Sequence, residues 1–204
     1  MHRVMINELR NLVEATCKKP TNYFGYGDWE HHIVNVIYFA KQMAKKIDAD
    51  EEIVEIAAIL HDYAAVKDYK LYAKHNVHGA RLARELLKKY NYPPDRIERV
   101  AHAILSHSGA EKRKVKRLTK EDQCVADADS MAHFAAVPSL FFLAYFSHKM
   151  DINQATKWLM DKLERSWKKL SPQAKELIKG RYEAARLLFE SSKANKVSYN
   201  KSVI

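Results

Sequence analysis

Glycine, proline and cysteine are all scarce in this chain of 204 residues. Only five glycines and five prolines are present. Because strand-rich folds use both residues to turn corners, their scarcity favours long helices joined by short connections. The two cysteines, Cys17 and Cys124, are far apart and form no CxxC motif. This excludes a cysteine-built zinc site and a disulfide framework, and it suits a reducing compartment.

Long apolar runs are also lacking. The longest, residues 140–146, is far too short to span a bilayer. The N-terminal residues MHRVMINELRNL lack the apolar segment of a signal peptide. We therefore expect a cytoplasmic protein with no membrane partner.

Positive charge exceeds negative charge by ten at pH 7, which predicts an anionic partner. The densest basic cluster, residues 112–117, lacks the interleaved aromatic side chains on which nucleic-acid bases stack. We interpret it as a solvated loop. The net charge does not choose among a nucleotide, nucleic acid and a membrane surface, but the cluster does not favour nucleic acid, and no pattern indicates an oligomeric state.

Apolar residues recur with helical periodicity along most of the chain, and no segment alternates as a strand does. Helix starts are predicted at Asp28, at Asp48 or Asp50, at a Thr119–Asp122 capping box and at Ser171-Pro172. Residues 140–146 are apolar on all sides, which predicts a buried helix. The expected fold is an all-α bundle of one domain, residues 1–192, with C-terminal helices within 139–191 and a frayed tail at 193–204.

A histidine–aspartate pair, His61-Asp62, follows the apolar run that ends at Leu60. Burying an unpaired carboxylate costs several kcal/mol or more, so Asp62 needs a cation, hydrogen-bond donors or a metal. Imidazole nitrogen and carboxylate oxygen are both good ligands for first-row metals. A metal site is one reading of the pair, and a helix cap or a lysine partner for Asp62 is the other.

Further histidines and acids lie on apolar helical stretches elsewhere in the chain. His32 lies one turn before Val36, and Asp127 and Asp129 interrupt an apolar helix. Two acids in such a helix are hard to explain by packing. Four more histidines lie between the two stretches: His75, His78, His102 and His107.

In this order and context, the residues resemble the HD superfamily of metal-dependent phosphohydrolases, whose signature is H…HD…D. The resemblance covers residues 28–135 and rests on four motifs: His32-x-x-x-Val36, Ala58-Ile59-Leu60-His61-Asp62, His102-Ala103-Ile104-Leu105-Ser106-His107-Ser108 and Asp127-Ala128-Asp129. It implies that one divalent metal, Mn, Fe, Co, Ni or Zn, is held by His32, His61, Asp62 and Asp129. His31 is an alternative first ligand, because family members often carry an acid three positions before it, as Asp28 is here.

The resemblance also implies hydrolysis of a phosphomonoester or of a nucleotide phosphate bond by metal-activated water. The substrate is then a small phosphorylated compound, such as a nucleotide, and nucleic acid is less favoured. Asp62 is then also catalytic, and Lys67 and Asp68 are candidates for contacting phosphate and positioning the water, although a solvated turn fits them equally well. Asp127 and His102 are expected to orient ligands. His75, His78 and His107 are candidates for phosphate contact or for a second metal.

Two other readings stay open at this point. One is a dinuclear enzyme of the phosphodiesterase or iron-oxygenase type, which the additional histidines allow, although one metal is favoured over two. The other is a basic helical binding module with a non-catalytic site. The four retained ligand-type residues argue against that module.

Overall fold

A computed structural model describes residues 2–108 and 115–194. Within these ranges the chain forms helices and no strand, which confirms the all-α prediction. The α-helices are α1 (His2–Cys17), α2 (Val34–Ile47), α3 (Glu51–Leu60), α4 (Tyr63–Lys67), α5 (His75–Lys89), α6 (Pro94–His107), α7 (Lys120–Ala135), α8 (Val137–Phe142), α9 (Ile152–Lys169) and α10 (Pro172–Ala194). Shorter turns connect them: π-helical at Trp29–Ile33 and Leu143–Ser147, and 3₁₀ at Tyr69–Lys74. Residues 112–114 of the basic cluster and 195–204 of the tail lie outside the described ranges.

Helix α7 lies at the centre of the bundle. It packs against α2, α3, α6, α9 and α10. Its side chains are buried almost all round, from Cys124 to Phe134, as expected for a central helix. The packing around α7 therefore brings α2, α3, α6 and α9 towards one region.

Side-chain caps fix where several helices begin. The Asp50 carboxylate accepts hydrogen bonds from the backbone N–H groups of Glu52 and Ile53, and Thr119 and Asp122 form the predicted reciprocal capping box. The predicted Asp28 cap is wrong. Asp28 has helical backbone angles and makes no capping hydrogen bond, because the chain there enters the π-helical turn Trp29–Ile33 directly.

The prediction of a buried helix at residues 140–146 is also wrong. Only Leu140 and Ala144 are buried there, whereas Phe142 and Phe146 are 58% and 63% exposed. The segment changes from α8 to a π-helical turn at Leu143. It packs against α7 and α9, but several of its apolar side chains face solvent. No single described helix is long and apolar enough to cross a membrane, although α7 taken with the following segment, bent by 82°, passes that test.

Candidate metal centre

His32, His61, Asp62 and Asp129 converge although 97 positions separate the first from the last. His32 lies in the π-helical turn before α2, His61 and Asp62 follow the last residue of α3, and Asp129 lies on α7. The His32 Nε2 atom is 3.3 Å from Asp62 Oδ2 and 3.6 Å from Asp129 Oδ1. The four groups thus face one point inside the bundle.

The two carboxylate oxygens of Asp62 face two different pairs of histidines. Oδ2 lies 3.3 Å from the Nε2 atoms of both His32 and His61. Oδ1 lies 3.5 Å from Nε2 of His75 and 3.9 Å from Nε2 of His107. Within each pair the Nε2 atoms are close, at 3.2 Å for His32 and His61 and 3.3 Å for His75 and His107. Asp62 therefore lies between two sets of donor atoms.

Three of these rings have a defined proton position. In each of them, Nδ1 lies within hydrogen-bond distance of the backbone carbonyl oxygen three residues earlier. Because a carbonyl oxygen can only accept, Nδ1 must carry the proton. The three hydrogen bonds run from His61 to Ala58 (2.8 Å), from His75 to Tyr72 (2.9 Å) and from His107 to Ile104 (2.6 Å). In the neutral rings Nε2 then carries a lone pair. Lone pairs facing each other at about 3 Å repel unless a proton or metal ion lies between them, so the donor set fits divalent metals.

Gly79 allows the second histidine pair to approach the first. A Cβ atom at this position would lie 3.1 Å from the Ile104 side chain and 3.3 Å from the carbonyl oxygen of His61. These separations are tighter than side chains normally tolerate, so a glycine lets α5 pack closely on the end of α3 and on α6. His75, one turn earlier on α5, thereby comes within reach of Asp62.

Sequence reasoning missed His133. It lies four residues after Asp129 on α7, and its Nε2 atom is 4.0 Å from Asp129 Oδ1. Its ring stacks on that of His32 with centroids 5.5 Å apart, and its Nδ1 is 2.8 Å from Ser166 Oγ. A helical spacing of four from a proposed ligand was the signal that could have revealed it.

Among the described residues, three overlapping sets of histidines and carboxylates could hold an ion, each with all donor atoms within 4.8 Å of one another. They share His32 or Asp62: His32, His61 and Asp62; His32, Asp129 and His133; and Asp62, His75 and His107.

The buried charges of the centre shift one another's pKa values. Burial alone would raise the pKa of Asp62, but the His61 charge and hydrogen bonds from His32 and His61 hold it well below its usual range. For Asp129, burial is likewise outweighed by electrostatic attraction, first to His133 and then to Lys169, and its pKa is lowered. Both carboxylates are thus ionised at neutral pH, as metal ligands must be.

The two fully buried histidines shift in opposite directions. Burial disfavours a charged His61, yet Asp62 and Asp129 outweigh this and raise its pKa to about 9. Burial, followed by repulsion from His61, lowers the pKa of His107 to about 4. At pH 7 without metal, His61 therefore carries a proton and His107 does not.

These pKa values predict proton release on metal binding. At pH 7, Mn²⁺ must displace the His61 proton to reach Nε2, so about one proton per chain should be released. Isothermal titration calorimetry in two buffers of different ionisation enthalpy measures this number. The release should decline as the pH rises through about 9, where His61 is already neutral. Binding at pH 7 with an unchanged enthalpy in both buffers would contradict the assignment of His61.

The centre opens into a cavity of about 970 Å³, which falls in the size range of ligand pockets. One wall carries basic residues of α9, namely Lys162, Arg165 and Lys169. Burial, together with repulsion from the other two cations, lowers the pKa of Lys162 against the attraction of Asp129. Asp28 also lines the cavity, and burial raises its pKa to about 6. The sequence analysis assigned no role to the α9 residues and treated Asp28 as a helix cap.

Several residues proposed from the sequence lie away from this cavity. Lys67 is exposed and extends over the Tyr63 ring, and Asp68 caps the 3₁₀ helix by accepting from the Lys70 N–H. Neither lines the cavity, so the geometry does not support their catalytic assignment. The reason is that α4 ends at Lys67 and the extended backbone of Asp68 turns the chain away.

Asp127, His102 and His78 are not at the centre either. Asp127 accepts hydrogen bonds from the N–H (3.0 Å) and hydroxyl (2.5 Å) of Ser171, so it anchors the start of α10 rather than a ligand. His102 pairs with Asp122 at 2.9 Å, and His78 is half-buried outside the cavity. His31 lines the cavity, but it is exposed and belongs to none of the three donor sets, so the geometry favours His32 as the first ligand.

The fold and centre define an all-helical protein with a buried histidine–aspartate site. The sequence profile of the HD domain matches residues 29–133, just over half of the chain, and the chain belongs to the HD domain family. Membership and the donor sets together support a metal-dependent phosphohydrolase at the level of the superfamily.

Known proteins resemble this chain in sequence over part of its length and in fold over nearly all of it. Ribonuclease Y of Desulforudis audaxviator is 38% identical over 80 residues, which are 39% of this chain but only 14% of that protein. YpgQ of Bacillus subtilis has the same fold over 96% of this chain and 97% of its own, with a TM-score of 0.73 and 22% identity. YpgQ has also been crystallised in complex with ADP, and that structure matches 94% of this chain and 98% of its own, with a TM-score of 0.69 and 22% identity. An HD-superfamily hydrolase of Bacillus thuringiensis matches 95% of this chain and 97% of its own, with a TM-score of 0.69 and 18% identity.

Proposed function

We propose that this protein hydrolyses a phosphate ester or phosphoanhydride bond of a small phosphorylated metabolite or nucleotide at a divalent-metal centre. The observation that carries the proposal is the arrangement of Asp62, whose two oxygens face two pairs of histidine Nε2 atoms. A structural aspartate needs only one such partner. Two pairs of histidine nitrogens that converge on the two oxygens of one carboxylate fit a metal-binding function.

Under this proposal His32, His61, Asp62 and Asp129 hold the first ion. A bound divalent metal supplies a Lewis acid and a water of lowered pKa. The backbone carbonyls behind His61, His75 and His107 keep the ring nitrogens aimed at the centre. Asp28, with a pKa of about 6, is suited to exchange a proton with water in the cavity near neutral pH.

The number of ions is a further part of the proposal. The sequence favours one, but the set of Asp62, His75 and His107 repeats the geometry of the first set around the other oxygen of Asp62. A second candidate function is therefore a dinuclear enzyme, in which Asp62, His75 and His107 would hold a second ion. The metal content of the purified protein decides between the two.

The cavity bears on the substrate. A volume of about 970 Å³ exceeds what a lone phosphate requires, and its α9 wall is basic. YpgQ, which shares the fold at 22% identity, has been crystallised with ADP. These observations support nucleotides as the first compounds to test.

The test is a hydrolysis screen. We expect the metal-free protein to be inactive and to release phosphate from phosphomonoesters or nucleotides once Mn²⁺, Fe²⁺, Co²⁺, Ni²⁺ or Zn²⁺ is supplied, with chelation abolishing the activity. Phosphate release is measured colorimetrically, and metal content by elemental analysis. A protein that binds no divalent metal, or binds metal but hydrolyses none of the phosphate compounds, would contradict the proposal.

A further inference from the structure

Helix α9 presents three cations to the cavity. The three are Lys162, Arg165 and Lys169, and all of them line the cavity. Three residues separate the first from the second and four separate the second from the third, so they lie along one side of the helix. The helix lies beyond residues 29–133, the part of the chain that matches the HD domain. These cations therefore lie outside the part of the chain that the HD domain profile matches.

The cavity side of α9 differs from its solvent side in how its charges are paired. Lys168 pairs with Glu164 at 3.4 Å on the solvent side, one turn apart. On the cavity side, Lys169 Nζ is 3.9 Å from Asp129 Oδ2. For Lys162 and Arg165, no acidic partner lies within 4 Å in the described part of the chain, and Lys162 is directed over the Trp158 ring.

Arg165 is exposed, whereas Lys162 is partly buried, and a partly buried cation without an acidic partner is unfavourable. Like charges brought together along one side of α9 add repulsion. A bound polyanion relieves both penalties. Lys169 also connects the wall to the metal centre, because it contacts Asp129, one of the proposed ligands. An anion that reaches from the metal centre to the basic wall therefore needs two neighbouring negative groups, one at the metal and one at the wall.

We propose that Lys162, Arg165 and Lys169 form a subsite for a second phosphoryl group, so that the substrate class is a compound with at least two linked phosphates. The proposal rests on the proposed function, in which the metal centre takes the phosphoryl group that is attacked. The guanidinium of Arg165 suits two-pronged contact with phosphate oxygens, and the lysines act as point charges.

The test compares inorganic phosphate with inorganic pyrophosphate as probes on the metal-loaded, full-length protein. Calorimetry should show wild type binding pyrophosphate roughly tenfold or more tightly than phosphate, since a charge-assisted contact contributes about that factor. Arg165→Gln and Lys169→Gln should each reduce pyrophosphate affinity roughly tenfold and leave phosphate affinity nearly unchanged. Lys169→Arg should retain the preference.

Lys168→Gln is the matched control, because it removes an exposed lysine from the other side of the same helix. It should bind both probes as wild type does. Pyrophosphate affinities that are unchanged in Arg165→Gln and Lys169→Gln would overturn the subsite.

Hydrolysis of p-nitrophenyl phosphate, which has a single phosphoryl group, is measured in parallel to separate this proposal from the proposed function. If wild type hydrolyses nothing but prefers pyrophosphate in a way that depends on Arg165 and Lys169, the subsite is supported and the hydrolase proposal fails. If hydrolysis is present and the variants bind pyrophosphate normally, the subsite alone is overturned.

Discussion

Asp62→Ala is expected to reduce metal-dependent phosphate release at least ~100-fold, because removing even an outer-shell partner of a metal site typically costs 10–100-fold. Asp62 is the carboxylate shared by both pairs of histidines, so its loss should weaken every ion at the centre. Elemental analysis after dialysis should show metal content falling together with activity. Far-UV circular dichroism should stay close to wild type, since the side chain lies at the end of α3 and is 20% exposed.

Asp68→Ala is the matched control. It removes a carboxylate six residues later that caps the 3₁₀ helix and lies outside the cavity. The change should cost about 1 kcal/mol of stability as a lost cap and leave activity within about twofold. If Asp62→Ala stays active when saturated with metal, the catalytic assignment of Asp62 is wrong, whereas an inactive but well-folded Asp68→Ala would restore the sequence-based assignment.

The residues of the centre that could be predicted from the sequence are those marked by a pattern of neighbouring residues in the chain. His61 and Asp62 follow directly on the apolar face of α3, and Asp129 lies in an apolar run of α7, so each stood out as a polar group on a buried helix. Helical periodicity was likewise sufficient for the all-α fold. These features depend on residues within a few turns of each other.

Other features depend on how separate helices meet, which a single sequence does not specify. Lys67 and Asp68 lie close to Asp62 in the chain, yet the short α4 and the extended backbone at Asp68 carry them away from it. Asp127 is only two residues from Asp129, but on a helix two residues turn about 200°, so it faces Ser171 instead of the centre. Proximity in sequence was a poor guide at both places.

The basic wall on α9 was missed for the opposite reason. Lys162, Arg165 and Lys169 are over thirty residues beyond Asp129, in a helix whose charges look like an ordinary solvated surface. Only the packing of α9 against α7 turns one side of it into a wall of the cavity. The same limitation explains residues 140–146, whose apolar composition indicated burial, although only Leu140 and Ala144 of the segment are buried.

Under the dinuclear candidate function, elemental analysis of the metal-loaded protein should give two metal ions per chain, and His107→Ala should reduce the number to one. The Nε2 atoms of His75 and His107 are 3.3 Å apart, and both rings donate from Nδ1 to backbone carbonyls, so both lone pairs point to the space beside Asp62 Oδ1. The low pKa of His107, about 4, keeps this ring neutral and ready to bind at pH 7.

His102→Ala is the matched control for His107→Ala. It removes a histidine from the same helix, five residues earlier, which pairs with Asp122 away from the cavity, so it should retain both ions. Because His107 is fully buried and its truncation leaves a void, His75→Ala, at a half-buried position, provides a second route to the same loss. One ion per chain in wild type, or two ions retained in folded His107→Ala and His75→Ala, would reject the second site and leave a mononuclear centre at His32, His61, Asp62 and Asp129.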